Sequence, residues 1–257
     1  MHAIIETWFV TLALILARVS AFLALAPVLG GRMVPKLVKL SLALALASFW
    51  FTSSGAAQAQ TVFSLNQSPW LGLILAVARE AIIGAVLGYA FSLFLVPFRI
   101  AGEYIAQEMG LTLGSITDPT RSQPSTVMGE FFELVGTLLF LSQNVHHLFL
   151  AMLHRTFASQ PLGGSFLPIP VGRQLQALAS VTEWGLLLAA PVGCVMFLTS
   201  LLLALLTRAA PQLNLMSAGF ALRVLVGMLA MLTLWPELVP WMLSVLHRSS
   251  SLLTGGS

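Results

Sequence analysis

The chain has 257 residues and is starved of charge: 12 Lys and Arg and 9 Asp and Glu make 8% of it, against 58% hydrophobic residues. A soluble domain carries about 25% charged residues, so this composition excludes an ordinary soluble globule and places the chain in or against a bilayer, or inside an apolar assembly. The net charge of +3 is small and scattered, with no basic run, which argues against a nucleic-acid partner.

Six hydrophobic stretches follow one another: Ile4–Leu29, Pro35–Phe51, Leu71–Phe98, Gly129–Leu153, Trp184–Thr207 and Gly219–Leu246. Trp184–Thr207 contains no charged residue, and a membrane-spanning helix needs roughly 20 apolar residues. Alternation of the strand type is absent, so the predicted fold class is all-α, a membrane-associated helical protein.

Breaks fall at Gly30-Gly31, Thr52–Pro69, Gly110–Pro124, Ser159–Gly172 and Pro211–Gly219. Each concentrates Gly, Pro or short polar residues. Arg32, Lys36 and Lys39 mark the first connection as cytoplasmic. Simple up-and-down threading then puts Arg155 and Arg173 outside, where basic residues are disfavoured. Either the segments are miscounted by one, or the helices do not all span a bilayer.

Leu71–Phe98 favours the second account. As one helix it runs about 42 Å, longer than a hydrocarbon core of about 30 Å. It also carries Arg79-Glu80, and adjacent side chains on a helix diverge by about 100°, so the two are not expected to face one partner. Ionisable groups at membrane depth need partners or water. Arg18, Glu130, Glu133, Glu183 and Arg223 raise the same question. Pairing within the chain, pairing with neighbouring subunits and an ion pathway all stay open.

Gly84-x-x-x-Gly88 allows close helix approach. Cys194, alone in an apolar run, reads as an inert core thiol. Catalytic patterns are missing: no phosphate loop, no nucleophile elbow and no H-E-x-x-H. His146-His147 are adjacent and cannot share an ion as an i, i+4 pair can. They read as hydrogen-bonding histidines at a helix end. No enzyme activity, cofactor or metal is expected.

Gly102, Gly110, Gly114 and Gly129 bracket a polar stretch, Met109–Met128, between two apolar helices. Non-helical backbone at membrane depth is tolerated only inside protein or along an aqueous cavity. The stretch is therefore either a surface loop or a re-entrant gate.

The order of the motifs resembles the FliR family of flagellar type III export-gate proteins. The matching residues are Arg18-Val19-Ser20, Ala26-Pro27-Val28-Leu29-Gly30, Val34-Pro35, and Glu80 with Gly84 and Gly88. Ala101-Gly102-Glu103, Met109-Gly110-Leu111 and Asp118-Pro119 follow. Then come Asn144-x-His146, Pro161-Leu162-Gly163, Ala190-Pro191-Val192, Ala210-Pro211-Gln212-Leu213-Asn214 and Gly219-Phe220. Val145 stands where the family usually has Gly. The injectisome T components share the Ala-Pro and Pro-Gln elements, and the closing segment Asn214–Gly227 resembles the flagellar branch.

The resemblance implies a non-enzymatic export subunit of the bacterial inner membrane, within the flagellar basal body. One copy would join five of FliP and four of FliQ in a helical cone, part of it raised above the membrane, with FlhB at the cytoplasmic entrance. Residues 1–180 would be FliP-like, and 181–257 a FliQ-like helical hairpin with a polar tail. Unfolded flagellar proteins would pass a pore closed by Met109, Gly110, Leu111, Thr112, Leu113, Gly114, Ser115, Ile116 and Thr117. Arg18, Arg79, Glu80, Glu103 and Arg223 are the expected buried-charge and assembly residues. Membrane lipid would surround part of the chain. The alternative from another class is a secondary transporter with broken helices, in which Arg79, Glu80, Glu103 and Glu108 line an ion site.

Overall fold

A computed structural model describes residues 2–26, 34–55, 69–112, 126–164, 171–209 and 215–254. These form eight α-helices: α1 (His2–Leu25), α2 (Lys36–Trp50), α3 (Pro69–Ser92), α4 (Val96–Met109), α5 (Val127–Ser142), α6 (Val145–Ser159), α7 (Val171–Ala209) and α8 (Leu215–Thr254). A π-helical turn, Phe51–Gly55, extends α2. The described residues contain no strand, and the chain is all-α.

Five helical segments are long and apolar enough to cross a membrane: Glu6–Leu25, Lys36–Ser53, Trp70–Ser92, Leu178–Ala209 and Gly219–Ser250. α5 and α6 together make a sixth if they are taken as one broken span. With 39 and 40 residues, α7 and α8 run about 58 and 60 Å, roughly twice a hydrocarbon core.

Two of the expected stretches are broken. Leu71–Phe98 divides into α3 and α4 through a turn at Leu93–Leu95. Pro97 stands in the first turn of α4. Its ring crowds the Leu93 carbonyl four residues back and it has no N–H to donate, which favours a break here, although α7 and α8 continue through Pro191, Pro236 and Pro240. Gly129–Leu153 divides at Gln143-Asn144, where Asn144 takes φ 54° and ψ 26°. Asn tolerates this left-handed conformation better than most residues, and no Gly or Pro announces the break.

The chain forms two compact units, Met1–Ser92 with Asn144–Gln174, and Leu93–Gln143 with Leu175–Ser257. Both units are discontinuous in sequence. The expected division near residue 180 concerns kinship with other subunits rather than compactness.

In the first unit α1 lies directly on α3. A Cβ on Gly84 would stand 2.9 Å from the Arg18 carbonyl carbon, and one on Gly88 would stand 2.5 Å from the Phe22 carbonyl oxygen. The GxxxG pair thus brings two backbones into contact, as small residues do between apolar helices. Phe22 meets the rings of Phe91 and Phe149 edge-on at 6.1 and 6.2 Å. Trp50 Nε1 donates to His154 Nδ1 at 3.1 Å.

α4 is the centre of the second unit. A Cβ on Gly136 of α5 would meet Phe98, one on Gly185 of α7 would meet Ile100, and one on Gly227 of α8 would meet Met109, each within 2.9 Å. Three neighbouring helices therefore present a glycine to a large α4 side chain. Phe98, Ala101, Ile105, Ala106 and Met109 have no exposed surface.

Candidate functional site

Two places in the fold hold the residues that the sequence singles out. The first is a charge cluster in the first unit. Arg18 and Glu80 are fully buried and Arg79 is 6% exposed. Glu80 sits between two guanidinium groups: Arg18 Nε donates to its Oε2 at 2.6 Å and Arg79 Nη1 to its Oε1 at 2.7 Å. The divergence of neighbouring helix positions argued against Arg79 and Glu80 sharing a partner. The arginine is long enough to fold back, so they partner each other.

The Nη atoms of both arginines reach the end of α6. Arg18 Nη1 donates to the Thr156 carbonyl and Nη2 to the Gln160 carbonyl, both at 2.9 Å. Arg79 Nη1 donates to the Pro161 carbonyl at 3.2 Å and Nη2 to Gln160 Oε1 at 3.1 Å. The last carbonyls of a helix lack partners within it, and the helix dipole places partial negative charge there. The end of α6 thus complements a cluster of two cations and one anion. Arg18 also lies over the Phe157 ring, 4.5 Å from its centroid. Thr156 and Gln160 were not singled out from sequence. Their signal is a helix end just before Pro161-Leu162-Gly163, where Gly163 turns the chain at φ 69°.

The second place is the end of α4 and the start of α5. Met109 is the last residue of α4 and belongs to its buried core. Gly110 takes φ 79°, and the helix closes with Gly110 N–H on the Gln107 carbonyl at 3.0 Å and Leu111 N–H on the Ala106 carbonyl at 2.9 Å. This is a Schellman cap, whose left-handed residue favours Gly. Leu111 and Thr112 form the following turn and are half-buried. Leu113, Gly114, Ser115, Ile116 and Thr117 lie outside the described residues.

The chain is next described at Thr126, the N-cap of α5, whose Oγ1 accepts from Gly129 N–H at 3.0 Å. Glu103, half-buried on α4, accepts from Thr126 N–H at 3.0 Å. It therefore caps a helix and is not sealed in the core. Arg223 and Glu133 are half-buried, and Glu130 and Glu183 are exposed. Arg79 and Glu80 belong to the first unit, Glu103 and Glu108 to the second.

Cys194 is exposed, which corrects the expectation of a core thiol. Around Cys194, from Trp184 to Thr207, helix α7 carries no charge to mark a face, so periodicity cannot say which side turns inward. His146 and His147 open α6, with ring centroids 4.4 Å apart; their place at a helix end is as expected, but His146 Nδ1 is buried without a hydrogen-bond partner, which corrects the expectation of a hydrogen-bonding residue there. Among the described residues no three His, Cys, Asp or Glu gather as a metal site.

The family model described as "Bacterial export proteins, family 1" matches residues 9–249. The flagellar biosynthetic protein FliR of Escherichia coli K12 is 35% identical, over 88% of this chain and 84% of its own length. The chain belongs to the FliR family. FliR of Caulobacter vibrioides is 29% identical over 84% of each chain. That of Bacillus subtilis is 26% identical over 90% of this chain and 88% of its own. FliR membership and the apolar helices make the chain a membrane component of flagellar protein export.

Proposed function

We propose that the chain is a single-copy, non-enzymatic core subunit of the flagellar export gate, and that residues Met109–Thr117 close its pore to ions while unfolded flagellar subunits are not passing. In this reading one copy joins five of FliP and four of FliQ in a helical cone in the inner membrane, within the basal body, and FlhB lies at the cytoplasmic entrance. A helical assembly needs a unit that starts or ends it, because heterologous contacts do not close by themselves. Residues 1–180 act as a FliP-like portion, and 181–257 as a FliQ-like hairpin.

The observation that carries this reading is the pattern of exposed apolar surface on a FliR-family chain. Leu37 and Trp70 are 79% exposed, and α7 presents Phe197, Leu198, Leu201, Leu202 and Leu205 outward. Surfaces of this kind mark contact with partners or lipid. The length of α7 and α8, about twice a hydrocarbon core, suits an assembly raised in part above the membrane plane. The Schellman cap at Gly110 supports a chain that leaves α4 abruptly for the pore axis. Leu111, Leu113 and Ile116 supply the apolar groups with which a constriction excludes water and ions.

Two measurements test the reading. Co-expression with FliP and FliQ, followed by native mass measurement, should give a complex with one copy of this chain, and the chain alone should aggregate or be degraded. A stable single-chain preparation that ignores both partners rejects the assembly. Deletion of Leu111–Ser115 should leave the complex assembled and raise ion or dye permeability of the cells. Assembly without added leak rejects the plug.

A further inference from the structure

Helix α8 runs through two prolines four residues apart, Pro236 and Pro240. A proline has no N–H, so each deprives the carbonyl four residues back of its helical donor. The carbonyls freed in this way are those of Leu232 and Pro236. Leu232 is 70% exposed, and Pro236 and Pro240 are exposed as well, which puts both carbonyls on the outward side of the helix.

In an apolar span such groups are satisfied by neighbouring helices, by hydroxyl side chains or by water. The nearby hydroxyls are engaged elsewhere. Thr233 Oγ1 donates to the Leu229 and Ala230 carbonyls at 2.9 and 3.1 Å, and Ser244 Oγ to the Trp241 carbonyl at 2.8 Å. Glu237 adds a carboxylate to the same stretch. It is exposed, and among the described residues it makes no ion pair. Leu232, Pro236 and Glu237 thus form a patch of unmet acceptors inside the apolar segment Gly219–Ser250. Beside the patch, α5 and α8 enclose an apolar recess of about 380 Å³, lined by Met128, Phe131, Met228, Met231, Leu232 and Trp235. Leu232 belongs to both places, since its side chain walls the recess and its carbonyl opens the patch. The methionines let the recess adapt to what fills it.

We propose that this face of α8 receives a helix of a partner subunit that carries an arginine or lysine with a large apolar side chain about one turn away. The cation meets Glu237 and the freed carbonyls, and the apolar side chain fills the recess. The proposal rests on the assembly reading and is independent of the plug. Charge complementarity selects the occupant. A lipid tail could fill the recess but has no donor for the patch, and a carboxylate in apolar surroundings is costly unless a cation pairs with it. An arginine suits several acceptors best, because its planar fork reaches more than one at once.

The test uses the complex co-expressed with FliP and FliQ. A photoreactive side chain in place of Thr233, exposed one turn before Glu237, should cross-link to a partner peptide that holds an arginine or lysine within about a turn of the cross-linked residue. Partner retention is read by native mass on dilution of the complex. Glu237→Gln should weaken it about ten- to hundredfold, the loss expected for a hydrogen bond to a charged group, and Glu237→Lys should weaken it further. Pro236→Ala with Pro240→Ala returns two N–H groups to α8. Amide exchange across Thr233–Trp241 should then slow while the partner is held less tightly.

Cross-links to lipid alone, or to partner peptides without such a cation, overturn the proposal and leave the assembly standing. Retention unchanged in Glu237→Gln overturns the pairing, and retention unchanged in the double proline variant overturns the part given to the carbonyls. If Glu237→Gln does not assemble, Glu237→Asp decides: an assembled complex supports a need for the charge, and an unassembled one overturns it. If the unsubstituted chain forms no complex, the assembly reading fails and this proposal with it.

Discussion

Arg18 and Glu80 stand 62 residues apart in the chain and meet as an ion pair with neither side chain exposed. Arg79 lies against the other oxygen of the same carboxylate. An isolated charge in such surroundings is costly, and a buried pair persists only where its remaining donors are satisfied. Here the carbonyls of Thr156, Gln160 and Pro161 and the Gln160 side chain accept four further bonds from the two guanidinium groups, and Arg79 Nε is left buried without an acceptor.

Glu80→Ala leaves two guanidinium groups without their shared anion. Breaking a buried pair in this way costs about 3–5 kcal/mol. Assembly yield and the thermal midpoint of the purified complex should both fall well below those of Glu6→Ala, at an exposed position. Equal yields for the two variants would show that the pair contributes nothing to the folded unit.

Arg18→Lys keeps the charge and should still be damaging. Arg18 uses Nε, Nη1 and Nη2 on three separate acceptors, Glu80, Thr156 and Gln160. A lysine ammonium is a compact point charge without that planar fork. Losing two of these bonds should cost about 3–6 kcal/mol, since bonds to charged groups contribute about 1.5–3 kcal/mol each. Thermal unfolding of the complex in detergent is the check, and a midpoint equal to the parent's would show that charge alone is needed.

Gly84→Ala and Gly219→Ala make a matched pair. At Gly84 the new methyl would press on the α1 backbone, which cannot move aside as a side chain can, and overpacking of this kind costs about 1–3 kcal/mol. At Gly219 it would meet only Leu203 side-chain atoms at 3.8 and 3.9 Å, ordinary contact distances. There the better helix propensity of Ala should stabilise by up to about 1 kcal/mol. The two midpoints should shift in opposite directions.

Asn144→Gly should be tolerated, because Gly enters the left-handed region without penalty. Asn144→Val should cost about 1–2 kcal/mol, the strain of placing a side-chain-bearing residue there. Limited proteolysis at the α5–α6 junction reads the difference: faster cleavage is expected for Val and an unchanged rate for Gly. Equal cleavage of the two variants would mean that the junction does not depend on its left-handed residue.

The sequence by itself determined the class of the molecule and its family. Charge depletion and apolar runs of spanning length leave helices as the only economical way to satisfy the backbone, and motifs from Arg18 to Phe220 carry the FliR resemblance. Gly84 and Gly88 showed in the sequence that a close approach was allowed, as small residues do, and packing against α1 decided that it is made. What the sequence left open was direction and partner. Cys194 lies in a stretch of α7 with no charge to mark a face, so only packing decides that it points outward. The break at Asn144 carries no Gly or Pro. Glu80 could have met either a neighbouring subunit or its own chain, and Glu103 could have been a buried charge or a cap. Those choices are made between residues far apart in the chain, and local periodicity holds no information about them. The tertiary structure decided them by bringing Arg18 and the end of α6 to Glu80, and the N-cap of α5 to Glu103.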